Sequence, residues 1–490
     1  MTTNDSRTTG ILIIGAGFGG VGLGARLLAE GRDDFIILER ADEVGGTWRD
    51  NTYPGAACDV PSHLYSFSFL PKPDWSRVFA PGPEIQNYLK DSARVSGLYD
   101  HLRFGEEMLS AKWDETAGLW RVTTSSGEWV APWLVTAAGH LADEHLPAIP
   151  GLDGFTGAAF HSARWKNDVA LEGKRIGVVG SGASAIQIVP EMAKRASEMV
   201  VFQRSAPYMI PRPDRAYSEG EKRLFSRDPE AIPALRDELF WGGEFNFSQR
   251  RNVPRFVNEA RTMALGHLAA QVPDDDLRAK LTPNYQIGCK RVLISNEYYP
   301  ALQRPNVTLE ASALQAVEGG TVIAASGGRH DLDVLVFATG FEAVQPPFAT
   351  RVFGETGDSL SDQWNTGMQA YDAIAVHNFP NLFIINGPNT GLGHNSIVYI
   401  IETQVDYILG ALTHAEAAGA SAIRVRPEAE DAFVTALDAR AQGSVWISGG
   451  CKSWYVDPRS GRLTLVWPDF AYAFRDRVGE FHPEGYALSA

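Results

Sequence analysis

Cysteine is scarce in this chain of 490 residues, and the three cysteines that occur are far apart. They are Cys58, Cys289 and Cys451. Such spacing argues against a disulfide framework and against a cysteine-based zinc site, and we assign no metal ion to the protein. Few cysteines are also typical of a protein that works in a reducing compartment, so the sequence predicts a cytoplasmic location.

Positive charge is the second thing of which the chain has little. It carries 44 Lys and Arg against 59 Asp and Glu, which gives a formal net charge of −15. Because affinity for nucleic-acid phosphates requires clustered Lys and Arg, we expect no nucleic-acid partner. The content of 44% hydrophobic and 21% charged residues is that of a globular protein, and the length predicts two or three domains.

Long uninterrupted apolar segments are missing as well. The first ten residues lack the basic and apolar regions of a signal peptide. The most apolar run, residues 11–29, contains six glycines and Arg26. We therefore predict no membrane-spanning segment.

That apolar run is better explained as a dinucleotide-binding loop. The strand-like Ile11–Ile14 leads into Gly15, Gly17 and Gly20, after which an apolar helix begins. Glycines at this spacing let the backbone turn tightly and approach a pyrophosphate at the helix N-terminus. A second strand ends at Glu39, where a carboxylate can accept hydrogen bonds from a ribose 2′-OH. The pattern predicts a site for FAD or NAD.

A second loop of the same kind follows the strand-like Arg175–Val179. Gly180, Gly182 and Ala185 occupy the three small-residue positions, and a helix and a further strand follow. This later strand ends at Arg204, where the first unit has an acid. A guanidinium can pair with the 2′-phosphate that a carboxylate would repel, so the second site is predicted to bind NADPH.

Two such loops predict an α/β protein with two Rossmann-like dinucleotide-binding domains, one for FAD and one for NADP. We expect the FAD-binding domain to comprise residues 1–148 and 380–490. The NADP-binding domain is expected to comprise 149–212 and 325–379. Helix-period apolar patterns in 213–324 predict a mainly helical insertion that contributes to the substrate pocket.

Several stretches of the chain resemble the Baeyer–Villiger monooxygenases, a branch of the class B flavoprotein monooxygenases. They read GGTWRDNTYPGAACDVPSHLYSFSF, FTGAAFHSARW, CKRVLISNEYYPALQRPNV and ATGF. The second matches the family fingerprint FxGxxxHxxxW through Trp165, although Lys166 follows where the family has Pro or Asp. The other main branch, the N- and S-oxygenating flavin-containing monooxygenases, prefers Tyr or Phe in the Trp position. Trp165 therefore favours the Baeyer–Villiger branch.

The resemblance implies an oxidoreductase that uses FAD, NADPH and O₂. In this family a C4a-peroxyflavin converts a small-molecule ketone into an ester or lactone, and N- or S-oxygenation of an amine or sulfide is the alternative. A pyridine-nucleotide disulfide reductase shares the two-site plan, but it needs a nearby cysteine pair that Cys58 lacks. A flavoprotein that binds its cofactors without oxygenating a substrate is the non-enzymatic alternative. The oligomeric state is open.

The resemblance also implies roles for individual residues. Arg291 would be the cation at the flavin edge, and Asp59 would modulate its charge and contact the cofactor. A preorganised cation stabilises negative charge best where water is excluded. His161 is expected to hold the two domains in register through backbone hydrogen bonds. The other implied cofactor contacts are Gly46, Thr47, Trp48, Tyr65 and Met108 for FAD, and Ser181, Gly182, Ala183, Ser184, Gln187, Arg204, Ser205 and Trp454 for NADP.

Overall fold

Two parallel β-sheets organise the fold of residues 7–489, the part of the chain that the computed structural model describes. The residues before Arg7, which include most of the segment predicted not to be a signal peptide, lie outside this range. In spatial order the strands of the first sheet are Leu382–Ile384, Trp133–Thr136, Ile11–Ile14, Phe35–Glu39 and Leu102–Phe104. A strand from the C-terminal part of the chain thus completes a sheet that begins near the N-terminus.

The second sheet is also parallel and has five strands. In spatial order they are Val307–Glu310, Glu198–Phe202, Arg175–Val179, Val334–Phe337 and Ala158–His161. Each sheet is centred on a strand that leads into one of the glycine loops. The prediction of an α/β fold with two Rossmann-like units is confirmed.

The two loops turn from strand to helix where the sequence predicts the change. Gly15 and Gly180 have φ angles of +103° and +125°, a region that disfavours residues with a side chain. The helices Phe18–Ala29 and Ala183–Ala193 follow at once. Most of the first helix is buried, because it packs between its own sheet and the long C-terminal helix Ile397–Ala418.

Smaller mixed and antiparallel sheets accompany the two parallel sheets. One five-stranded sheet consists of Arg7–Thr8, Gly127–Ala131, Leu119–Thr124, Met108–Asp114 and Val352–Phe353. A three-stranded sheet consists of Leu314–Glu318, Thr321–Ala324 and Arg329–Asp331. Two-stranded pairs join Met209–Ile210 to Leu293–Ile294, in parallel, and Ala422–Val425 to Tyr486–Ser489.

The predicted insertion is helical over about half of its length, and short strands form the rest of its regular structure. Its helices are Glu219–Arg227, Ala231–Phe245, Phe247–Arg250, Pro254–Gln271, Asp275–Lys280 and Tyr298–Leu302. The sequence placed Val307–Glu310 in this insertion, whereas that strand is the edge of the second parallel sheet. Likewise Val352–Phe353, assigned to the second domain, pairs with Met108–Asp114 beside the first sheet. Both differences arise because short strands take their partner from distant parts of the chain, which local patterns do not specify.

The remaining helices lie around the first sheet and the C-terminal segment. They are Thr47–Asp50, Gly82–Val95, Leu360–Gln363, Ile397–Ala418, Pro427–Ala441, Val445–Ser448 and Ala471–Val478. The longest, Ile397–Ala418, begins where the Ser396 hydroxyl accepts a hydrogen bond from the Val398 N–H and ends at Gly419 with φ +62°. Within residues 7–489, none of the helices combines the length and the apolarity needed to cross a membrane.

The cysteines correct one expectation from the sequence. Cys289 and Cys451, 162 residues apart, form a disulfide, and Cys58 is the free, buried third cysteine. The sequence argued against a disulfide framework and did not predict this single bridge, because sequence spacing says nothing about which distant loops meet in space. The cytoplasmic location stays a prediction, and the cysteine content no longer supports it.

Two helical glycines provide a test of how tightly the first loop is packed. A Cβ atom on Gly20 would lie far inside van der Waals contact of the Gly15 carbonyl oxygen, whereas one on Gly242 would meet open space. We expect Gly20→Ala to lower the free energy of unfolding by about 3 kcal/mol, because the backbone must shift to make room. The matched Gly242→Ala should be neutral or raise it by up to about 1 kcal/mol through helix propensity. Thermal unfolding measures both, and equal effects of the two changes would contradict this packing.

Candidate active site

One cleft of about 1240 Å³ lies between the carboxyl ends of the two parallel sheets. It brings together residues that are hundreds of positions apart in the sequence. The predicted site residues that line it are Gly15, Gly17, Glu39, Gly46, Thr47, Trp48, Asp59, Tyr65, Met108, Ser181, Gly182, Ala183, Ser184, Gln187, Arg204, Ser205, Arg291 and Trp454. Gly20 does not line the cleft but packs behind it against the Gly15 carbonyl.

The first glycine loop has the features of a dinucleotide cradle. The helix Phe18–Ala29 begins at Gly17, and no side chain of residues 7–489 caps its N-terminus. Its first N–H groups and the positive end of its dipole are therefore available to an anion. Gly46 approaches so closely that a Cβ on it would lie 3.2 Å from the Cα of Gly17. The absence of side chains at both positions keeps this floor of the cleft open, which fits a bound pyrophosphate.

Glu39 ends the second strand of the first sheet and is held in place by three donors. The N–H groups of Ala16 and Ala41 donate to its two carboxylate oxygens at 3.0 and 2.9 Å. Arg49 forms an ion pair with it at 2.9 Å. A carboxylate can accept about four hydrogen bonds, so Glu39 keeps capacity for the ribose hydroxyl that the sequence predicts. Arg49 was not recognised from the sequence as a partner of this acid.

Trp48 and Tyr65 form an aromatic wall beside the first loop. The Trp48 indole Nε1 donates to the Tyr65 hydroxyl at 3.2 Å, and the rings meet edge to face at 5.7 Å. Burial raises the pKa of Tyr65, so its hydroxyl stays protonated. Met108 enters the cleft from the start of an antiparallel strand. These apolar surfaces can cover a flat aromatic ring such as a flavin.

The second glycine loop is tied directly to the first unit. Gln187, on the helix Ala183–Ala193, donates through Nε2 to the Ala57 carbonyl at 2.9 Å. The Tyr53 hydroxyl donates to Gln187 Oε1, also at 2.9 Å, and burial raises the pKa of Tyr53 to about 12. No side chain of the described residues caps this helix either, and its first residues line the cleft. Its N-terminal N–H groups are therefore available to a second anion.

Positive charge concentrates beyond the second loop. Arg204 follows the strand Glu198–Phe202 and is exposed on the cleft wall. Lys290 donates to the Ser205 hydroxyl at 2.8 Å, and desolvation together with the nearby Arg204 charge lowers the pKa of Lys290. The Ser181 hydroxyl donates to the Ser205 carbonyl at 2.9 Å and fixes this corner. Two cations and two hydroxyls converge here, a donor set suited to a phosphate.

Asp59 and Arg291, which both line the cleft, form a bidentate ion pair. Arg291 Nε donates to one carboxylate oxygen at 3.0 Å, and Nη2 donates to both at 2.8 Å. The Arg291 side chain is 34% exposed, so part of the guanidinium faces the cleft. The charge of Asp59 raises the pKa of Arg291 further above its usual value. Arg291 is therefore a permanent, oriented cation.

Tyr455 is a cleft residue that sequence reasoning missed. It is 3% exposed, lines the cleft and packs at a tilt against Trp454, with ring centroids 4.6 Å apart. Within the described range its buried hydroxyl has no hydrogen-bond partner. Burial raises the pKa of Tyr455, while the neighbouring charges of Arg291 and Arg250 oppose that shift. Its position directly after the predicted Trp454 was the available signal.

The fingerprint segment supports the site from outside the cleft. His161 Nδ1 accepts a hydrogen bond from the Ala163 N–H at 3.1 Å, and the ring packs edge to face on Phe341. Desolvation lowers the pKa of His161. Trp165 is buried against Phe160, with ring centroids 5.2 Å apart. The hydrogen bond of the histidine is thus local to its own segment, and its role in holding the two domains in register stays a prediction.

Comparison with known proteins gives matches along the whole chain. Residues 8–221 match the family described as Flavin-binding monooxygenase-like. A Baeyer-Villiger monooxygenase of Streptomyces coelicolor is 44% identical over 467 residues, which are 95% of this chain and 90% of that protein. One of Pseudomonas aeruginosa is 41% identical over 485 residues, covering 98% and 91%. Cyclohexanone monooxygenase from Rhodococcus sp. Phi1 bound to NADP+ aligns with a TM-score of 0.89 at 28% identity, covering 99% of this chain and all of that one.

The positive charges of Arg204 and Lys290 predict a preference for NADP+ over NAD+. We expect Arg204→Ala to weaken binding of NADP+ by about 10-fold, because a charge-assisted contact to the 2′-phosphate is lost. Binding of NAD+, which lacks that phosphate, should change little. Arg195→Ala is the matched control, since Arg195 is an exposed arginine outside the cleft. Calorimetric titration of both dinucleotides measures the effect, and equal losses for the two would reject the phosphate contact.

Proposed function

We propose, for a chain that belongs to the Baeyer–Villiger monooxygenase family, that the Arg291–Asp59 pair directs the reaction toward an ester or lactone. The enzyme is a flavin monooxygenase that depends on FAD and NADPH and uses O₂ to oxygenate a ketone. The observation that carries the proposal is the fixed cation between the two dinucleotide cradles.

Both cofactors fit the cleft through the residues already described. When bound, FAD takes up a hydride from NADPH and activates O₂. The first glycine loop and Glu39 would hold FAD, and Trp48 and Tyr65 would cover its ring. The second loop, with Arg204 and Ser205, would hold the nicotinamide dinucleotide.

Arg291 supplies positive charge where the reaction develops negative charge. As the ketone carbon becomes tetrahedral, its oxygen gains charge, and a guanidinium already in place stabilises that charge without reorganisation. Because Asp59 raises the pKa of Arg291, the Nη atoms keep their protons at neutral pH. Arg291 therefore stabilises an anionic oxidant without protonating it. A deprotonated oxidant is a nucleophile suited to a carbonyl, whereas a protonated one would suit the nitrogen of an amine or the sulfur of a sulfide.

Asp59 orients Arg291, and its carboxylate partly compensates the positive charge of the guanidinium. Two carboxylate oxygens hold three donor contacts of the guanidinium, which leaves the remaining N–H groups to face the cleft. A partly exposed ion pair of this kind contributes only about 0–1 kcal/mol to stability. Its value lies in the direction it imposes on the guanidinium.

The substrate we propose is an apolar ketone. Apolar side chains of C-terminal segments line the same cleft as Arg291; they include Leu392, Ile397, Ile401, Leu465 and Val466. They exclude water and offer contacts to hydrocarbon, while Arg291 supplies charge to the reacting group. A cytoplasmic location is part of the proposal and stays a prediction.

Product analysis tests the choice between carbonyl and heteroatom oxygenation. We expect the holoenzyme, with NADPH and a mixed panel of cyclic and linear ketones, sulfides and amines, to form esters or lactones. Mass spectrometry identifies products that have gained one oxygen atom. Oxygenation of amines and sulfides alone, with matching NADPH consumption and no ester from any ketone, would replace this proposal by N- or S-oxygenation.

Substitution of Arg291 separates the reduction of FAD from the formation of the ester. We expect Arg291→Ala to leave reduction of FAD by NADPH working and to lower ester formation at least about 100-fold, as loss of an oxyanion donor does. Arg291→Lys keeps the charge but loses the bidentate contact with Asp59, so its rate of ester formation should lie between those of Arg291→Ala and the wild type. Stopped-flow absorbance follows the reduction and chromatography the ester. Normal ester yield from Arg291→Ala would contradict the assigned role.

A further inference from the structure

A covalent bridge lies directly beside the proposed catalytic arginine. Cys289 precedes Arg291 by two residues, and Cys451 precedes Trp454 by three. The disulfide between these cysteines therefore joins the segment that carries Arg291 to the segment that carries Trp454 and Tyr455. Residues on both sides of the bridge line the cleft.

The two segments also meet through their backbones. The Gln286 N–H donates to the Gly449 carbonyl at 2.9 Å. Gly449 lies so close to the bridge that a Cβ on it would be 2.6 Å from the Cβ of Cys289. The disulfide is thus the covalent part of a compact junction. It lies where the helix Val445–Ser448 ends and an irregular stretch of the described chain begins.

Residues 452–454 of that stretch have few other anchors, whereas Tyr455 packs into the core beside Trp446 and Val456 pairs with Leu463. Lys452 and Trp454 are exposed, Trp454 to 41%, and Tyr455 is buried with its hydroxyl unpaired among residues 7–489. An irregular segment with exposed side chains and few hydrogen bonds opens at low free-energy cost unless something else restrains it. The bridge at Cys451 supplies that restraint next to the residues that line the cleft.

We propose that the Cys289–Cys451 disulfide is a positioning element that holds the loop 452–454 beside the segment that carries Arg291, and that its reduction releases this loop. The proposal rests on the role proposed for Arg291. With the bridge closed, Trp454 stays on the cleft wall and hinders the departure of NADP+. With the bridge open, NADP+ binds less tightly, and a larger share of NADPH is oxidised without ester formation.

The chemistry of the release is a two-electron thiol–disulfide exchange. Cys451 is half-buried and Cys289 is fully buried, so the thiolate of an external dithiol reaches Cys451 Sγ. A mixed disulfide forms at Cys451, and Cys289 leaves as a thiolate that takes up a proton. The second thiol of the reagent then releases Cys451 and closes its own disulfide. Cys58 does not exchange, because it is buried and burial raises its pKa, which keeps it protonated.

Thiol counting, proteolysis and ligand binding test the proposal on the holoenzyme. Under denaturing conditions the oxidised protein should show one reactive thiol, and three after treatment with dithiothreitol. Reduction should speed tryptic cleavage after Lys452 and raise the NADP+ dissociation constant at least about 3-fold, as expected when the binding-competent loop position is less populated. Reoxidation with oxidised glutathione should restore both values. Mass spectrometry and calorimetry give these readouts without reference to turnover.

Variants separate the bridge from a general effect of the reagent. Cys451→Ser should behave like the reduced wild type and no longer respond to dithiothreitol. Cys58→Ser is the matched control and should keep the response. The ratio of ester formed to NADPH consumed should fall in Cys451→Ser, a change that loss of stability alone would not produce. If Cys451→Ser does not fold, the reduced wild type provides the same comparison.

Two results would overturn the proposal. One is three reactive thiols in the untreated, air-exposed protein, because the bridge would then not form. The other is a cleavage rate after Lys452 and an NADP+ affinity that stay the same after complete reduction. Neither depends on ester formation, so a wild type that makes no ester would reject the role of Arg291 and leave this test to be decided by its own measurements.

Discussion

The ion pair between Arg291 and Asp59 forms only when three parts of the chain are in place. Asp59 comes from the loop that follows the first dinucleotide unit, and Arg291 from the helical insertion, 232 residues later. The second unit holds that insertion through the pairing of Met209–Ile210 with Leu293–Ile294. The pair adds little to stability, but it forms only when these three parts of the chain are docked correctly. The guanidinium is therefore positioned at the reacting centre only in the correctly assembled enzyme.

Features governed by local spacing could be predicted from the sequence. A buried apolar strand, three small residues and an apolar helix constrain one another within about thirty positions, so both dinucleotide loops were recognised. The identity of Glu39 and Arg204 at equivalent strand ends followed from the same register. The helix Ile397–Ala418 carries signals of the same local kind, an apolar period and the Ser396 cap.

Features governed by distant pairing could not be predicted in the same way. Val307–Glu310 joins the second sheet although helices precede it, and Arg49 reaches Glu39 from a short helix. The bridge between Cys289 and Cys451 depends on two loops that no local rule relates. The roles of Asp59 and Arg291 came from a family resemblance, and the structure adds the direct contact between them.

Gln187 has a consequence for how the molecule can move. Its amide is held on one side by the Tyr53 hydroxyl and on the other reaches the Ala57 carbonyl, so one side chain clamps the helix of the second unit to the loop of the first. A hinge rotation of one sheet against the other would have to break both hydrogen bonds together. Two such bonds contribute about 1–3 kcal/mol together, so the clamp favours one relative position of the two cofactor cradles without preventing a rotation that breaks it.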